Sequence, residues 1–242
     1  MIALPPEAWE ALALSLRVAG VATLAALPLA LLAAWALARG RFRGRTALDA
    51  AIHLPLVLPP VVTGWALLIL FAPSAPLGAA LEALGLPLAF RWTGAAVAGA
   101  VMAFPLMVRA IRLSLEAVDP RLEEAAATLG ATPWRVRRTV TLPMIAPGLL
   151  AGATLGFAKA FGEFGATITF VASIPGETRT LPAAIYAFLQ VPGGEAAVRA
   201  LVLVAVLVSV AAVLLSDVVA RRVAARVAGH GTAAGSGPGP AP

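Results

Sequence analysis

The chain has 242 residues and a composition far more apolar than that of a soluble protein. Hydrophobic residues make up 60% of the chain and charged residues 12%, whereas a soluble domain averages about 25% charged residues. These values argue against an ordinary soluble enzyme and against a disordered chain, and they predict a membrane protein with several spans. The lack of cysteine excludes disulfides, thiolate metal sites and cysteine nucleophiles.

Five apolar stretches are long enough to cross a bilayer, which takes roughly 20 helical residues. They lie at about 11–38, 51–72, 94–114, 144–171 and 197–219. Because lipid offers the backbone no hydrogen-bond partners, each stretch is predicted to be helical. The predicted fold class is therefore all-α, a polytopic transmembrane helical bundle of about five spans. A shorter apolar piece at 181–191 is predicted to be an interfacial or re-entrant helix.

The second stretch contains three prolines and a glycine, at Pro55, Pro59, Pro60 and Gly64. Each proline removes a backbone donor and bends a helix. The sequence therefore predicts a broken helix, which either borders a transport path or is a packing kink. His53, at the start of this stretch, is predicted to be a helix-end or interface residue rather than a ligand.

The chain has a net charge of +6, and most of its basic residues lie at the ends of the first, third and fifth stretches or just after them. By the positive-inside rule these segments are cytoplasmic, so the N-terminus lies outside and the C-terminus inside. This distribution removes the need for a nucleic-acid partner. Arg91, Arg179 and Arg199 then lie outside, where they attract an anion, pair with a docking protein or anchor the chain at the interface.

The predicted organisation has three parts. Residues 1–10 form an extracytoplasmic N-terminus, and residues 11–222 form the membrane domain. Residues 223–242 form a cytoplasmic tail whose Gly-, Pro-, Ala- and Ser-rich end predicts disorder. His230 is isolated in this tail and is not predicted to bind a metal.

The predicted cytoplasmic loop at about 115–142 contains the signals of two short helices. Asp119 is a predicted N-cap with a proline at the first helical position, and Gly130 is a predicted helix stop. Thr132 and Pro133 repeat the capping pattern. The first helix has one face of small and apolar residues at helical spacing, namely Leu122, Ala125, Ala126 and Leu129. Such a face either docks a partner or packs on its own bundle, and periodicity does not distinguish the two.

The same loop resembles the cytoplasmic signature of permease subunits of binding-protein-dependent ABC importers. That signature reads EAA, three residues, Gly, nine residues, Ile, one residue and Leu-Pro. The matching residues here are Glu124, Ala125, Ala126, Gly130, Val140, Leu142 and Pro143, with Val140 in place of Ile. The resemblance implies the type I importer permease fold, in which coupling helices at about 120–140 sit in a groove of a separate ATPase subunit. We assign Leu129 and Pro133 to the same coupling surface.

Further segments resemble one branch of this family, the molybdate ABC transporter permeases. Residues 54–64 read LPLVLPPVVTG and resemble molybdate and sulfate permeases alike, whereas residues 161–186 and 192–195 resemble molybdate permeases more closely. The likeness implies import of molybdate and tungstate, with sulfate or thiosulfate as the alternative. It also implies a homodimer in the bacterial cytoplasmic membrane, two copies of the ATPase subunit and an extracytoplasmic molybdate-binding protein.

A path for a dianion needs donors or water, because a charge is costly in low dielectric. The fourth stretch offers Thr154, Thr167 and Thr169, which either line a path or bond back to their own helix. Lys159 and Glu163 are four residues apart and form either a structural ion pair or part of a gate.

The sequence also bears on two rival functions. The chain has no G-x-x-x-x-G-K-[ST] phosphate loop, so ATP is expected to bind to a partner and the chain itself to need no cofactor. An intramembrane enzyme needs clustered catalytic groups, which the predicted spans lack, so the chain is predicted not to be an enzyme. An ion-driven carrier would leave the cytoplasmic signature without a role.

Overall fold

The computed structural model describes residues 6–232, except for the side chains at 216, 217, 220, 221 and 223–232. Every regular element in this part of the chain is helical, which confirms the all-α prediction. The α-helices are α1 (Pro6–Arg39), α2 (Arg45–Val57), α3 (Pro60–Phe71), α4 (Pro76–Ala83), α5 (Trp92–Glu116), α6 (Pro120–Thr128), α7 (Pro133–Val136), α8 (Leu142–Phe161), α9 (Gly165–Val171), α10 (Leu181–Leu189) and α11 (Glu195–Thr232). A π-helical turn, Arg137–Thr141, joins α7 to α8.

The centre of the bundle is the packing of α1, α5 and α8 against one another. Small residues make this packing close, as is usual between helices in a membrane. A Cβ atom at Gly156 of α8 would lie 2.6 Å from the sulfur of Met107 on α5, and one at Gly148 would lie 2.0 Å from the hydroxyl oxygen of Ser114. The two helices are therefore closest at the positions where α8 has glycine.

In the part of the chain that the structure describes, four helical segments are long and apolar enough to cross a membrane: α1, α5, the run from Pro133 to Phe161, and Glu195–Leu215 of α11. The second predicted stretch is not one continuous helix. It consists of α2 and α3, which meet at an angle of 113° and give a fifth span only when taken as a pair. The break lies at Leu58 and Pro59, where proline supplies no backbone donor, and it confirms the broken helix predicted from the prolines.

The predicted fourth span at 144–171 is wrong as a single helix. α8 ends at Phe161, and α9 begins at Gly165 after a short break. Gly162 disfavours a continued helix because its backbone is costly to order. In addition, the carboxylate of Glu163 accepts a hydrogen bond from the backbone N–H of Ala166, at 3.0 Å. This bond satisfies an N–H that the first turn of a new helix leaves without an intrahelical partner.

The two short helices that follow these breaks, α3 and α9, pack against each other. A Cβ atom at Gly64 of α3 would lie 2.4 Å from the carbonyl oxygen of Ala166, and one at Gly165 of α9 would lie 2.7 Å from Cβ of Pro60. Each helix therefore places a glycine against the backbone or ring of the other, and this contact needs both glycines.

Ion pairs lie at both ends of α1. Glu7 in its first turn pairs with Arg179 at 3.4 Å, and Arg39 in its last turn pairs with Glu123 at 3.4 Å. Segments that the sequence assigns to opposite sides of the membrane therefore lie at opposite ends of the bundle.

The remaining elements refine the sequence-based boundaries. The predicted short helix at 181–191 is α10, and the hydroxyl of Ser15 on α1 accepts a hydrogen bond from the backbone N–H of Leu181, at 2.6 Å. The sequence did not predict α4. The last helix continues to Thr232, past the predicted domain end at 222. Residues 233–242 of the predicted tail, and the side chain of His230, lie outside the described part of the chain.

Candidate coupling site and transport path

Local capping sets the limits of α6, as the sequence predicted. The carboxylate of Asp119 accepts a hydrogen bond from the backbone N–H of Arg121, at 2.9 Å, and Pro120 occupies the first helical position. Gly130 has φ = +85°, a left-handed conformation that glycine adopts without steric cost and that commonly follows a helix end. The hydroxyl of Thr132 then accepts a bond from the N–H of Arg135 and caps α7.

The apolar face of α6 is not covered by the bundle. No residue of α6 is buried, and Leu122 and Ala125 are exposed. The side chain of Leu129, just after the helix, is 89% exposed, while Ala126 is half-buried. In the described part of the chain the bundle leaves most of this face uncovered, which favours docking of a partner over packing on the chain's own bundle.

The signature residues fall into two groups in space. Glu124, Ala125 and Gly130 are exposed on or beside α6, as is Pro133 next to them, and Ala126 is half-buried on the same helix. The second group is half-buried where the π-turn passes into α8, and its members are Val140, Leu142 and Pro143. The first group can contact another protein directly, whereas the second joins that surface to the membrane helix α8.

The sequence analysis missed three residues beside this site. Arg39, Glu123 and Thr141 line a cavity of about 380 Å³ between the end of α1 and the coupling segment. Glu123 precedes the signature residue Glu124, and adjacent side chains on an α-helix point about 100° apart. Glu123 therefore faces the bundle while Glu124 faces away from it.

Lys159 and Glu163 form the ion pair that the sequence suggested, although they do not share one helix. The Lys159 ammonium nitrogen lies 2.5 Å from Oε2 of Glu163, which follows the end of α8. The Glu163 side chain is 2% exposed and that of Lys159 is 30% exposed. The other oxygen of Glu163 bonds the Ala166 N–H, so this carboxylate links α8 to α9 across the break.

Two of the three threonines bond to their own helices. The Thr154 hydroxyl donates to the carbonyl of Leu150 at 2.9 Å, and the Thr169 hydroxyl donates to the carbonyl of Gly165 at 2.8 Å. Thr167 is buried on α9. The structure thus favours the back-bonded interpretation for Thr154 and Thr169.

Comparison with known proteins agrees with this arrangement. The family described as "Binding-protein-dependent transport system inner membrane component" matches residues 26–229, which is most of the chain. The chain belongs to this family.

The chain is also similar to named transport permeases. It is 52% identical over 206 residues to the molybdenum transport system permease protein ModB of Escherichia coli strain K12, covering 85% of this chain and 90% of that protein. It is 54% identical over 197 residues to ModB of Haemophilus influenzae, covering 81% and 86%. It is 42% identical over 160 residues to the sulfate transport system permease protein CysT of E. coli K12, covering 66% and 58%.

The fold is also shared with solved importers. A bacterial ABC transporter involved in the import of the acidic polysaccharide alginate has a chain that superposes with a TM-score of 0.71. The sequence identity is 20%, and the superposition covers 90% of this chain and 80% of that one. This likeness confirms the predicted importer permease fold.

Proposed function

We propose that this chain is the membrane-spanning permease subunit of an ATP-driven importer that carries molybdate, and tungstate with it, across the cytoplasmic membrane. Its likeness to the molybdenum permeases extends over nearly their whole length and supports this substrate. The likeness to the sulfate permease is lower and covers less of either chain. Sulfate or thiosulfate is therefore the second candidate substrate.

The observation that carries the proposal is the signature on an uncovered helix. A transporter that pumps its substrate but has no phosphate loop must take its energy from a partner or an ion gradient, and α6 presents small and apolar side chains that its own bundle leaves largely free. We assign the coupling surface to Glu124, Ala125, Ala126, Leu129, Gly130 and Pro133, and its connection to the bundle to Val140, Leu142 and Pro143.

In the proposed assembly two copies of the chain form the path at their two-fold axis. Two ATPase subunits lie below them in the cytoplasm, and one molybdate-binding protein docks from outside. ATP draws the ATPase subunits together, the coupling helices follow, and the bundle opens outward to accept the anion. Hydrolysis then resets it inward. The permease performs no covalent chemistry, and the ATPase subunits bind the ATP.

The proposed orientation places the N-terminus outside the bacterial cytoplasmic membrane and α6 inside. The arginine distribution supports it, since the basic segments gather at the α6 end of the bundle. In this orientation the pair of Glu7 and Arg179 lies on the outer face, where the binding protein docks.

Among the candidate residues of the transport path, Lys159 is the best placed to donate hydrogen bonds to the anion. A dianion needs donors, and the hydroxyls of Thr154 and Thr169 each give their single hydrogen to a carbonyl of their own helix. An ammonium has three donors, and Glu163 occupies one of them at 2.5 Å. We therefore place Lys159 and Glu163 in the gate region and Thr154, Thr167 and Thr169 in a supporting role beside it.

Reconstitution tests this function. The chain is placed in liposomes with its candidate ATPase subunit and binding protein, and uptake of labelled molybdate is measured with ATP inside. We expect ATP-dependent uptake that tungstate competes for strongly and sulfate weakly. Stronger competition by sulfate would transfer the assignment to the sulfate branch. Uptake that proceeds without ATP and stops with an uncoupler would replace the proposal with an ion-driven carrier.

A further inference from the structure

The coupling helix α6 needs a firm connection to the membrane helices if it is to move them. None of its residues is buried and only Ala126 among its apolar residues is half-buried, so apolar packing contributes little to this connection. Among the described residues, the carboxylate of Glu123 makes the polar contact between α6 and the bundle. Oε1 of this residue accepts a hydrogen bond from the Thr141 hydroxyl at 2.7 Å and lies 3.4 Å from Nη2 of Arg39.

Arg39 connects this carboxylate to two membrane helices. It is the last residue of α1, so its guanidinium moves with the end of that helix. The same Nη2 donates to the carbonyl oxygen of Leu115, at 3.3 Å, in the last turn of α5. A cation is favourable there because the carbonyls at a helix C-terminus carry partial negative charge.

Thr141 connects the carboxylate to a third membrane helix. It is fully buried, and it is the last residue of the π-turn that leads into α8. Its hydroxyl donates to a charged acceptor, and such bonds are stronger than bonds between neutral groups. Through Glu123, α6 is therefore bonded to the start of α8 as well as to the ends of α1 and α5.

The backbone connection from α6 to α8 is less direct than the side-chain connection through Glu123. Between α6 and α8 lie Gly130 in its left-handed conformation, the short helix α7 and the π-turn. Without a side-chain connection, α6 could pivot at Gly130 without moving α8. A bonded carboxylate removes that freedom because it fixes α6 beside the residue from which α8 begins.

We propose that Arg39, Glu123 and Thr141 form a latch that transmits motion of the coupling helix to α1, α5 and α8. This inference rests on the proposed function, because it assigns the latch a role in the coupling of ATP hydrolysis to transport. Two adjacent carboxylates then have different roles. Glu124 faces the ATPase subunit, and Glu123 faces the bundle as a positioning residue.

The test uses the complete transporter in liposomes and separates binding of the ATPase subunit from transport. For Glu123→Ala and Thr141→Val we expect normal co-purification of the ATPase subunit and continued ATP hydrolysis. Uptake per ATP hydrolysed should fall about tenfold, the factor that corresponds to loss of one charge-assisted hydrogen bond. Thr141→Ser keeps the hydroxyl and should retain normal uptake. Glu82→Gln, at an exposed position on α4, is the neutral control.

A variant that combines both substitutions tests the latch more strictly than the single variants do. Because Glu123→Ala already removes the bond to Thr141, combining it with Thr141→Val should lose no more uptake per ATP than Glu123→Ala alone. Multiplied losses would overturn the latch, and so would unchanged uptake per ATP in the single variants. Loss of the ATPase subunit from the single variants would also overturn it, because it would show that Glu123 only supports the docking surface. If Glu123→Ala does not fold, Thr141→Val and Thr141→Ser decide the question by themselves.

Failure of the latch and failure of the proposed function are distinguishable. A wild-type chain that recruits no ATPase subunit, or shows no ATP-dependent uptake, contradicts the proposed function. A wild-type chain that transports normally, with variants that match it, contradicts the latch alone.

Discussion

Substitution of Gly64 by alanine tests whether the contact between α3 and α9 holds the two broken spans together. The new Cβ would lie 2.4 Å from the carbonyl oxygen of Ala166 and 2.8 Å from its Cα. Both are backbone atoms, so a side-chain rotation cannot relieve the overlap and the helices must separate. Overpacking of this kind costs about 1–3 kcal/mol.

A matched control isolates that cost. Gly20 lies inside α1, and a Cβ added there meets nothing within 4 Å. Both substitutions gain the same helix propensity of alanine over glycine, about 1 kcal/mol. The difference between Gly64→Ala and Gly20→Ala should therefore equal the overpacking term, with Gly64→Ala the less stable protein.

The assay is unfolding of the purified permease in detergent, monitored by the fluorescence of its tryptophans. We expect Gly20→Ala to match or exceed the wild type and Gly64→Ala to unfold at a lower midpoint. Gly165→Ala should show a loss like that of Gly64→Ala, since its Cβ would lie 2.7 Å from Cβ of Pro60. Equal stability of Gly64→Ala and Gly20→Ala would refute the close contact of α3 and α9.

Two further predictions concern charged groups. Lys159→Met should destabilise the permease by about 3 kcal/mol, because it leaves the buried carboxylate of Glu163 without its cation; a second change, Glu163→Gln, should recover most of that loss in the same unfolding assay. A Lys159→Met variant with normal stability, normal uptake and normal ATPase activity would remove the pair from the mechanism. Asp119→Ala should cost about 1 kcal/mol of local helix stability by removing the cap of α6. Faster amide hydrogen exchange in α6, with exchange in α5 unchanged, is the expected result, and unchanged exchange in both helices would argue against the cap.

The features that the sequence predicted correctly are helix ends and breaks that depend on neighbouring residues in the chain. The ends of α6 follow from Asp119, Pro120 and Gly130, whose preferences depend on their own backbone conformation rather than on distant contacts. The break before α3 likewise follows from two consecutive prolines.

The break before α9 was missed, although the contact that marks it is local and joins residues three apart in the sequence. The apolar stretch at 144–171 continues through it, and only the position of the Glu163 carboxylate against the Ala166 N–H shows that a new helix begins. The role of Glu123 was missed because it depends on tertiary structure. Two neighbouring glutamates look alike in sequence, and the direction of each is set by the packing of α6 beside Arg39 and Thr141.

The most direct test of the account uses one cysteine on the exposed face of the coupling helix. The chain has no cysteine of its own, so Leu129→Cys introduces a single thiol at a position that is 89% exposed. The account predicts that, in sealed vesicles, a membrane-impermeant maleimide reaches this thiol only from the cytoplasmic side. It also predicts that a cross-linker on the thiol captures the ATPase subunit. Labelling from the external side, or no cross-link in a complex that transports molybdate, would contradict the claim that this surface is driven by a separate ATPase.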